Sequence, residues 1–228
     1  MKRFALLLVP IIALTACGGQ QPAAPEKDTT ESPKQDKRLQ IAVIPKGLAN
    51  QFWLTVKAGA DAAGREIGAD IIWQGPAKET ELEKQINIVQ DMINLPVDGI
   101  VLAACDENSL IQFIQQAMDA KIPVVTIDSG VKSDLPLSFI ATDNIAGAKA
   151  AADTLAKLIG EEGPVGLMPF VPGAATSEMR ESGFKEGLKA YPKIQLVATL
   201  YCMSDVAKGM DITQDMLTAN PDIKGIFG

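Results

Sequence analysis

Residues 41–56 have the sequence Ile-Ala-Val-Ile-Pro-Lys-Gly-Leu-Ala-Asn-Gln-Phe-Trp-Leu-Thr-Val. A short β-branched run ends at Pro45, a loop follows, and Phe52 and Trp53 open a helical pattern. In an open α/β sheet, ligands bind outside the carboxyl ends of the strands, where loops lead into helix N-termini. This stretch therefore predicts a strand–loop–helix unit with a ligand site at its loop.

The predicted loop carries residue types that suit a small polyol. Lys46 is a cation, Asn50 is an amide, and Phe52 and Trp53 offer flat apolar faces. Sugar faces stack on aromatic rings, while cations and amides hydrogen-bond hydroxyl groups. The alternative is that both rings belong to the core of an amphipathic helix, because adjacent helical residues cannot point the same way.

The chain beyond Leu39 alternates between apolar strands and amphipathic helices at a spacing typical of βαβ units. Strands that are nearly all apolar indicate burial on both faces, as in a parallel sheet. The clearest helix runs from Thr80 to Asn94, where Thr80 and Glu83 form a capping-box pattern. We predict strands at residues 41–45, 70–74, 99–104 and 124–128, and a further helix at residues 108–121.

A second series of the same rhythm follows residues 138–142. It contains helices at residues 144–159, from about 177 and at 206–219, and strands at 165–170, 195–200 and around Ile226. The polar crossover Thr142-Asp143-Asn144 suggests a hinge between two similar lobes, at residues 39–142 and 143–228. The fold class is α/β, with two Rossmann-like doubly wound lobes. We expect the second lobe to be incomplete, with the chain truncated inside a strand.

The first 38 residues have the layout of an export segment. A basic start and an apolar run form a signal peptide over residues 1–16. Leu14-Thr15-Ala16-Cys17 resembles a bacterial lipobox, which predicts lipidation of Cys17; the alternative is an ordinary signal with an incidental cysteine. Residues 17–38 are rich in proline and polar residues, so we interpret them as a lipidated N-terminus and flexible linker.

Composition excludes several classes of function. The net charge is −7 and the chain has no histidine. An acidic chain has no electrostatic footprint for nucleic acid, and the missing histidines remove the commonest metal ligand and general base. Cys105 and Cys202 could pair in an oxidising compartment, although we favour two free thiols. No phosphate loop, nucleophile elbow or metal-ligand spacing is present, so we predict no catalytic residues, no metal and no cofactor.

A series of short motifs resembles the ribose-binding-protein-like family of periplasmic sugar-binding proteins. The motifs are spread from about residue 40 to 228, in the order in which the family has them. They are the strand–Pro–Lys–Gly opening with Asn50-x-Phe-Trp, the run at 97–102, Ile122-Pro-Val-Val-Thr-Ile-Asp128-Ser, Ala141-Thr-Asp-Asn144, Arg180-x-x-Gly-Phe184 and Asn220-Pro-Asp-Ile. The resemblance implies a type I periplasmic binding protein whose two lobes close on a sugar.

The resemblance also implies roles for single residues. Asn50 would bond sugar hydroxyls, Phe52 and Trp53 would flank the ring, and Asp128 would accept bonds from two neighbouring hydroxyls; the alternative for Asp128 is a turn cap before Gly130. Arg180 would supply a fork of donors, the alternative being a surface ion pair with Glu178 or Glu181. The family often has an arginine where Ser129 stands and a small polar residue where Lys46 stands. Tyr201 is nominated where a ribose binder has an aromatic.

The implied function is an exported, lipid-anchored solute receptor that delivers a monosaccharide-like ligand to an ABC permease. We expect a monomer with a small-molecule sugar, permease subunits and a membrane anchor as partners. The alternative is a sensor that presents its ligand, including a furanosyl quorum signal, to a membrane kinase or chemoreceptor. The sequence contains no motif that would indicate an exported enzyme. A DNA regulator of the related repressor family would have a helix-turn-helix where this chain has a signal and a linker.

Overall fold

A computed structural model describes residues 38–228. The predicted signal peptide, the lipidation site at Cys17 and nearly all of the predicted linker lie outside the described residues. Within residues 38–228, no helix is long and apolar enough to cross a bilayer.

Strands and helices alternate along the described chain. The strands are β1 (Gln40–Ile44), β2 (Asp70–Trp73), β3 (Gly99–Leu102), β4 (Val124–Ile127), β5 (Phe139–Ile140), β6 (Gly163–Leu167), β7 (Ile194–Thr199) and β8 (Gly225–Phe227). The helices are α1 (Gln51–Ile67), α2 (Leu82–Asn94), α3 (Ile111–Asp119), α4 (Asn144–Leu158), α5 (Ala175–Leu188) and α6 (Val206–Ala219).

The strands form two separate parallel sheets. The first has five strands in the order β2-β1-β3-β4-β5, and the second has three in the order β7-β6-β8. Every strand pair is parallel. Ile41 lies opposite Gly99 in the first sheet, and Val165 lies opposite Gly225 in the second. The α/β fold class predicted from the sequence is confirmed.

Each sheet has its own apolar core. In the first lobe, Ile44, Ile100 and Leu102 from the sheet pack with Val89 of α2 and Ile114 of α3. In the second lobe, the core cluster combines strand residues with small and aromatic residues of α4 and α5: Ala148, Ala152, Val165, Leu167, Phe184 and Leu188. The free energy gained by burying apolar surface is roughly proportional to the area buried, so each cluster stabilises its own sheet. The carboxyl ends of the strands are thereby held in place.

Several predicted bounds differ from the structure. The helix predicted at residues 108–121 spans Ile111–Asp119, the strand predicted at residues 99–104 ends at Leu102, and two further differences lie at α2 and β6. Helix α2 begins at Leu82, and its N-cap is Glu81, which makes no side-chain cap bond to the helix. The Glu81 carboxylate instead accepts bonds from the backbone N–H groups of Ala77 and Lys78, so the capping box expected at Thr80 does not form. Strand β6 ends at Leu167, so Phe170, which we expected to end this strand, lies in the loop that follows.

Candidate functional site

The carboxyl ends of β1 and β4 and the loop after β6 meet around a cavity of about 240 Å³. Its first-lobe side is formed by Lys46, Asn50, Phe52 and Asp128, and its second-lobe side by residues of α5 and the preceding loop: Phe170, Thr176 and Arg180. This volume is below the roughly 300–1,000 Å³ of pockets for drug-sized molecules, which suits a small ligand. The cavity therefore lies where an α/β sheet places its ligand site.

Lys46 is the cation at the centre of this cleft, and its side chain is only 3% exposed. Its Nζ lies 3.1 Å from Asp128 Oδ2 and donates to Thr176 Oγ1 of the second lobe at 2.9 Å. The face of Phe170 is 5.1 Å from the same nitrogen, measured to the ring centroid. The lysine is thus held by an ion pair, a hydrogen bond and a cation–π contact, the last two reaching across the lobes.

Asp128 follows β4 in a left-handed backbone conformation, with φ of 56°. Aspartate tolerates this region better than most residues, and uncommon backbone geometry of this kind gathers at ligand sites. Its carboxylate pairs with Lys46. Ser129 is fully buried, and its carbonyl accepts from Ala104 N–H at 2.9 Å. Its Oγ has no hydrogen-bond partner among residues 38–228. Ser129 therefore does not line the cavity, because the left-handed turn at Asp128 directs the chain inwards.

Asn50 and Trp53 are engaged with the protein itself. The Asn50 side chain caps α1 by accepting from Trp53 N–H at 3.0 Å, and its amide donates to Glu79 at 3.3 Å. The Trp53 indole donates to Glu79 Oε1 at 2.8 Å. Phe52, which is 52% exposed, meets Trp53 edge to face at 4.9 Å between ring centroids. Of the two rings, Phe52 lines the cavity and Trp53 packs behind it.

Arg180 lies on α5 at the exposed rim of the cavity. Its Nε donates to Asn144 Oδ1 at 2.8 Å, and its guanidinium stacks 5.5 Å from the centroid of Phe170. Within residues 38–228 it forms no ion pair with Glu178 or Glu181, so the surface-pair alternative does not hold there. The remaining N–H groups of the fork are available to a ligand.

The three predicted hinge residues sit at the start of α4. Asp143 caps this helix by accepting from Ala146 N–H at 2.9 Å. The Asn144 amide donates to Thr142 O at 3.0 Å while its oxygen holds Arg180. Asn144 therefore orients Arg180 at the cavity, and the same segment, residues 142–144, connects the two sheets.

Tyr201 does not reach the cavity. Its hydroxyl donates to Glu181 Oε2 at 2.7 Å, and this bond, with burial, raises the pKa of Tyr201 to about 12. Cys105 and Cys202 are free thiols. Burial raises the pKa of Cys105 to about 12, so its thiol stays protonated beside the backbone of Lys46.

Sequence reasoning missed Glu79, Phe170 and Thr176. Phe170 ends the strand predicted at residues 165–170, and ligand sites lie at the carboxyl ends of strands, so its position was a usable signal. Thr176 and Glu79 had none, because their roles come from contacts that are distant in sequence. Thr176 bonds Lys46, 130 residues away, and Glu79 bonds Asn50 and Trp53, 29 and 26 residues away. Within the described residues, no group of carboxylates and thiols is arranged to hold a metal ion.

Comparison with known proteins agrees with this architecture. A family model described as "Periplasmic binding protein domain" matches residues 41–228. The chain belongs to the periplasmic binding protein family. The resemblance drawn from the sequence motifs is confirmed at that level.

Three relatives, one curated protein and two solved structures, show what kinds of binding protein this chain is similar to. The D-ribose/D-allose-binding protein of Pseudomonas aeruginosa is 31% identical over 237 residues, covering 100% of this chain and 72% of that protein. An ABC transporter solute-binding protein from Agrobacterium vitis, solved with bound D-fucose, is 40% identical with a TM-score of 0.80. A carbohydrate transporter solute-binding protein from Agrobacterium radiobacter, in complex with D-arabinose, is 33% identical with a TM-score of 0.80.

The similarity to the solved structures covers 83% of this chain in both cases, and 67% and 66% of the two proteins. The chain thus spans about two thirds of the length of these solved relatives.

Proposed function

We propose that this protein is an exported solute-binding protein that captures a monosaccharide between its lobes and delivers it to an ABC permease. One observation carries the proposal: residues of both lobes converge on one small cavity that combines an aromatic face, a carboxylate and two cations. Membership in the periplasmic binding protein family supports export. Lipid anchoring at Cys17 rests on the lipobox pattern alone and is part of the proposal.

Each cavity residue has a role that its chemistry allows. Phe52 and Phe170 present apolar faces from opposite lobes, against which the C–H groups of a sugar pack. Asp128 accepts from hydroxyls, and charge-assisted bonds of this type are about twice as strong as neutral ones. Lys46 and Arg180 donate to hydroxyl or ring oxygens. Asn50 has one amide hydrogen left for the ligand after its bond to Glu79.

Closure follows from the placement of these groups. Because Thr176, Phe170 and Arg180 belong to one lobe and Asp128 and Phe52 to the other, a ligand contacts the full set only when the lobes are together. Such a ligand binds the closed form more tightly and shifts the population towards it. We place the hinge at Thr142, Asp143 and Asn144, where the chain passes between the sheets.

The test is a thermal-shift screen of the full chain against D-ribose, D-allose, D-arabinose, D-fucose and D-tagatose, followed by calorimetry on each hit. A ligand at a thousand times its Kd adds about 4 kcal/mol of stability. Arg180→Met should weaken binding about tenfold to a hundredfold, because a bond to a charged group contributes about 1.5–3 kcal/mol.

Arg65→Met is the matched control, since Arg65 lies on the exposed surface of α1 in its last turn. A cooperative melt with no shift for any sugar would contradict the proposal. So would a shift that Arg180→Met and Arg65→Met leave equally intact.

A further inference from the structure

The interior of the cleft holds a charge pair in which Lys46 is buried and the Asp128 side chain is 18% exposed. Lys46 Nζ lies 3.1 Å from Asp128 Oδ2 and 3.9 Å from Glu79 Oε2. The side chains of Lys46 and Glu79 are 3% and 10% exposed. Removing an ammonium ion from water is costly unless carboxylates compensate it, and these two carboxylates lie close enough to do so.

The pair changes what Asp128 can offer to a ligand. Lys46 engages Oδ2, which leaves the other carboxylate oxygen as the ready acceptor for a hydroxyl. Lys46 itself has already given one hydrogen to Thr176 and faces Asp128 with another. The ligand therefore meets an acceptor and a donor side by side, rather than a carboxylate with both oxygens free.

The charges around the cavity also balance. Lys46 and Arg180 are positive, Asp128 is negative, and Glu79 stands behind Lys46 as the second negative group. These four charges sum to zero, so an additional charge on the ligand would give the closed cleft a net charge. Charges interact more strongly there than in water, because the effective dielectric constant is lower.

We propose that the Lys46–Asp128 pair is a specificity determinant that admits uncharged sugars and rejects sugar acids and sugar phosphates. This inference rests on the proposed function, since it concerns the ligand of the same cleft. It assigns the discrimination to one ion pair and therefore predicts how removing either partner changes the ratio of acid affinity to neutral affinity.

The experiment compares the full chain with three pairs of probes by calorimetry. The pairs are D-fucose and D-galacturonate, which differ at C6, D-ribose and D-ribose 5-phosphate, and D-arabinose and D-arabinose 5-phosphate. The quantity measured is the ratio of acid affinity to neutral affinity within each pair. In the unchanged chain we expect this ratio to be below about one hundredth.

Three variants test the assignment to the pair. Asp128→Asn leaves the cleft with one net positive charge, so the ratio should rise at least tenfold. Lys46→Met leaves the cleft with one net negative charge, so the ratio should fall below that of the unchanged chain. The double variant restores the balance, and its ratio should return to within about threefold of the original.

Lys57→Met and Asp61→Asn form the control pair. These residues make an exposed ion pair at 2.7 Å on α1, so neither change should move the ratio. Each variant is melted first. If Asp128→Asn does not fold, Lys46→Met and the double variant still give an ordered prediction, because only the double variant should match the unchanged chain.

The outcomes separate the two proposals. If the chain binds none of the six probes and none of the sugars of the thermal-shift screen, the proposed function is contradicted and this inference with it. If it binds only D-allose or D-tagatose, the 6-phosphate of that sugar serves as the acidic probe in the same comparison. If it binds an acidic probe as tightly as its neutral partner, only the charge inference is overturned. The same follows if the ratio is equal in Asp128→Asn, Lys46→Met and the unchanged chain.

Discussion

Phe52 and Trp53 show how neighbouring residues of one helix divide structural and binding roles. Successive residues of an α-helix point about 100° apart, so both rings cannot face the same cavity. The Trp53 side chain is 1% exposed and its indole bonds to Glu79, whereas Phe52 faces the cavity. Trp53 therefore belongs to the helix core, and Phe52 is the ring to which the proposed sugar-binding role applies.

We expect Phe52→Ala to affect sugar binding and Trp53→Ala to affect the stability of the fold. Phe52→Ala should weaken binding of the sugar found in the screen while leaving the urea midpoint of the free protein nearly unchanged. Trp53→Ala should lower the free energy of unfolding by about 3–5 kcal/mol, the usual cost of emptying a large aromatic site in a core. Calorimetry and urea denaturation of both variants check this. Equal destabilisation by the two changes would contradict it.

The Tyr201–Glu181 bond predicts a pH dependence of stability. The folded-state pKa of Tyr201 is raised to about 12, above the value of about 10 in an unfolded chain. The folded state therefore keeps its proton longer than the unfolded state does. The contribution to stability is complete below pH 10 and is lost as pH rises from 10 to 12.

Tyr201→Phe removes this contribution. The difference in unfolding free energy between the unchanged chain and Tyr201→Phe should be constant from pH 8 to 10 and shrink towards pH 12. Urea denaturation at each pH measures that difference, which cancels the titration of other groups. A difference that stays constant or grows above pH 10 would contradict the bond.

At the scale of elements, helix α2 fixes the ends of two strands. Gln85 is fully buried, and its Nε2 donates to Pro45 O at 3.0 Å and Ala103 O at 2.8 Å. Its Oε1 accepts from Cys105 N–H at 2.8 Å. The Gln85 side chain thus satisfies three backbone groups just beyond β1 and β3. One of them belongs to Pro45, the residue directly before the cleft cation Lys46.

Gln85→Leu should lower the free energy of unfolding by about 3 kcal/mol or more, because each buried polar group left unpaired costs about 1–3 kcal/mol. Gln90→Leu is the control, since Gln90 lies on the exposed face of the same helix. Urea denaturation of both variants measures the two losses of unfolding free energy. A loss below about 1 kcal/mol for Gln85→Leu would show that water replaces its bonds.

The sequence predicted the elements of the first lobe because their periodicity is a local property. Strands β1 to β4 begin within one residue of their predicted starts, and α6 matches its predicted bounds. The start of α2 was wrong, because Glu81 bonds the preceding loop instead of the helix. Lys46 was nominated from its position after a strand and Asp128 from the family resemblance. Their pairing and the partner Thr176 depend on how the two lobes meet, which no local pattern records.

At the scale of the whole molecule, polar contacts join the lobes on both sides of the cavity. On one side, Ser204 Oγ donates to Glu79 Oε2 at 2.9 Å. On the other, Glu107 N–H donates to Gly173 O at 2.9 Å. These contacts bracket the Lys46–Thr176 bond, so the lobes close through three separate points around the ligand cavity.

Gly173 is the tightest of these points. Its φ is 83°, and a Cβ atom at this position would lie 2.5 Å from Asp106 Oδ2. Asp106 cannot easily move away, because its Oδ1 accepts from the N–H groups of Asn108 and Ser109 at 3.0 and 2.7 Å. A side chain at residue 173 would therefore hold the second lobe away from the first.

We expect Gly173→Ala to hinder closure, and Gly160→Ala is its matched control. Gly160 has a similar φ of 78°, but a methyl group added there would have no neighbouring atom within 4 Å, so both variants share the backbone strain and only one meets the other lobe. Sugar affinity should fall about tenfold in Gly173→Ala relative to Gly160→Ala. In small-angle scattering, the decrease in radius of gyration on adding sugar should also be smaller in Gly173→Ala. Equal affinity and equal compaction in the two variants would show that the contact at Gly173 is not needed for closure, and that the cavity closes around its ligand through the Glu79 and Lys46 contacts alone.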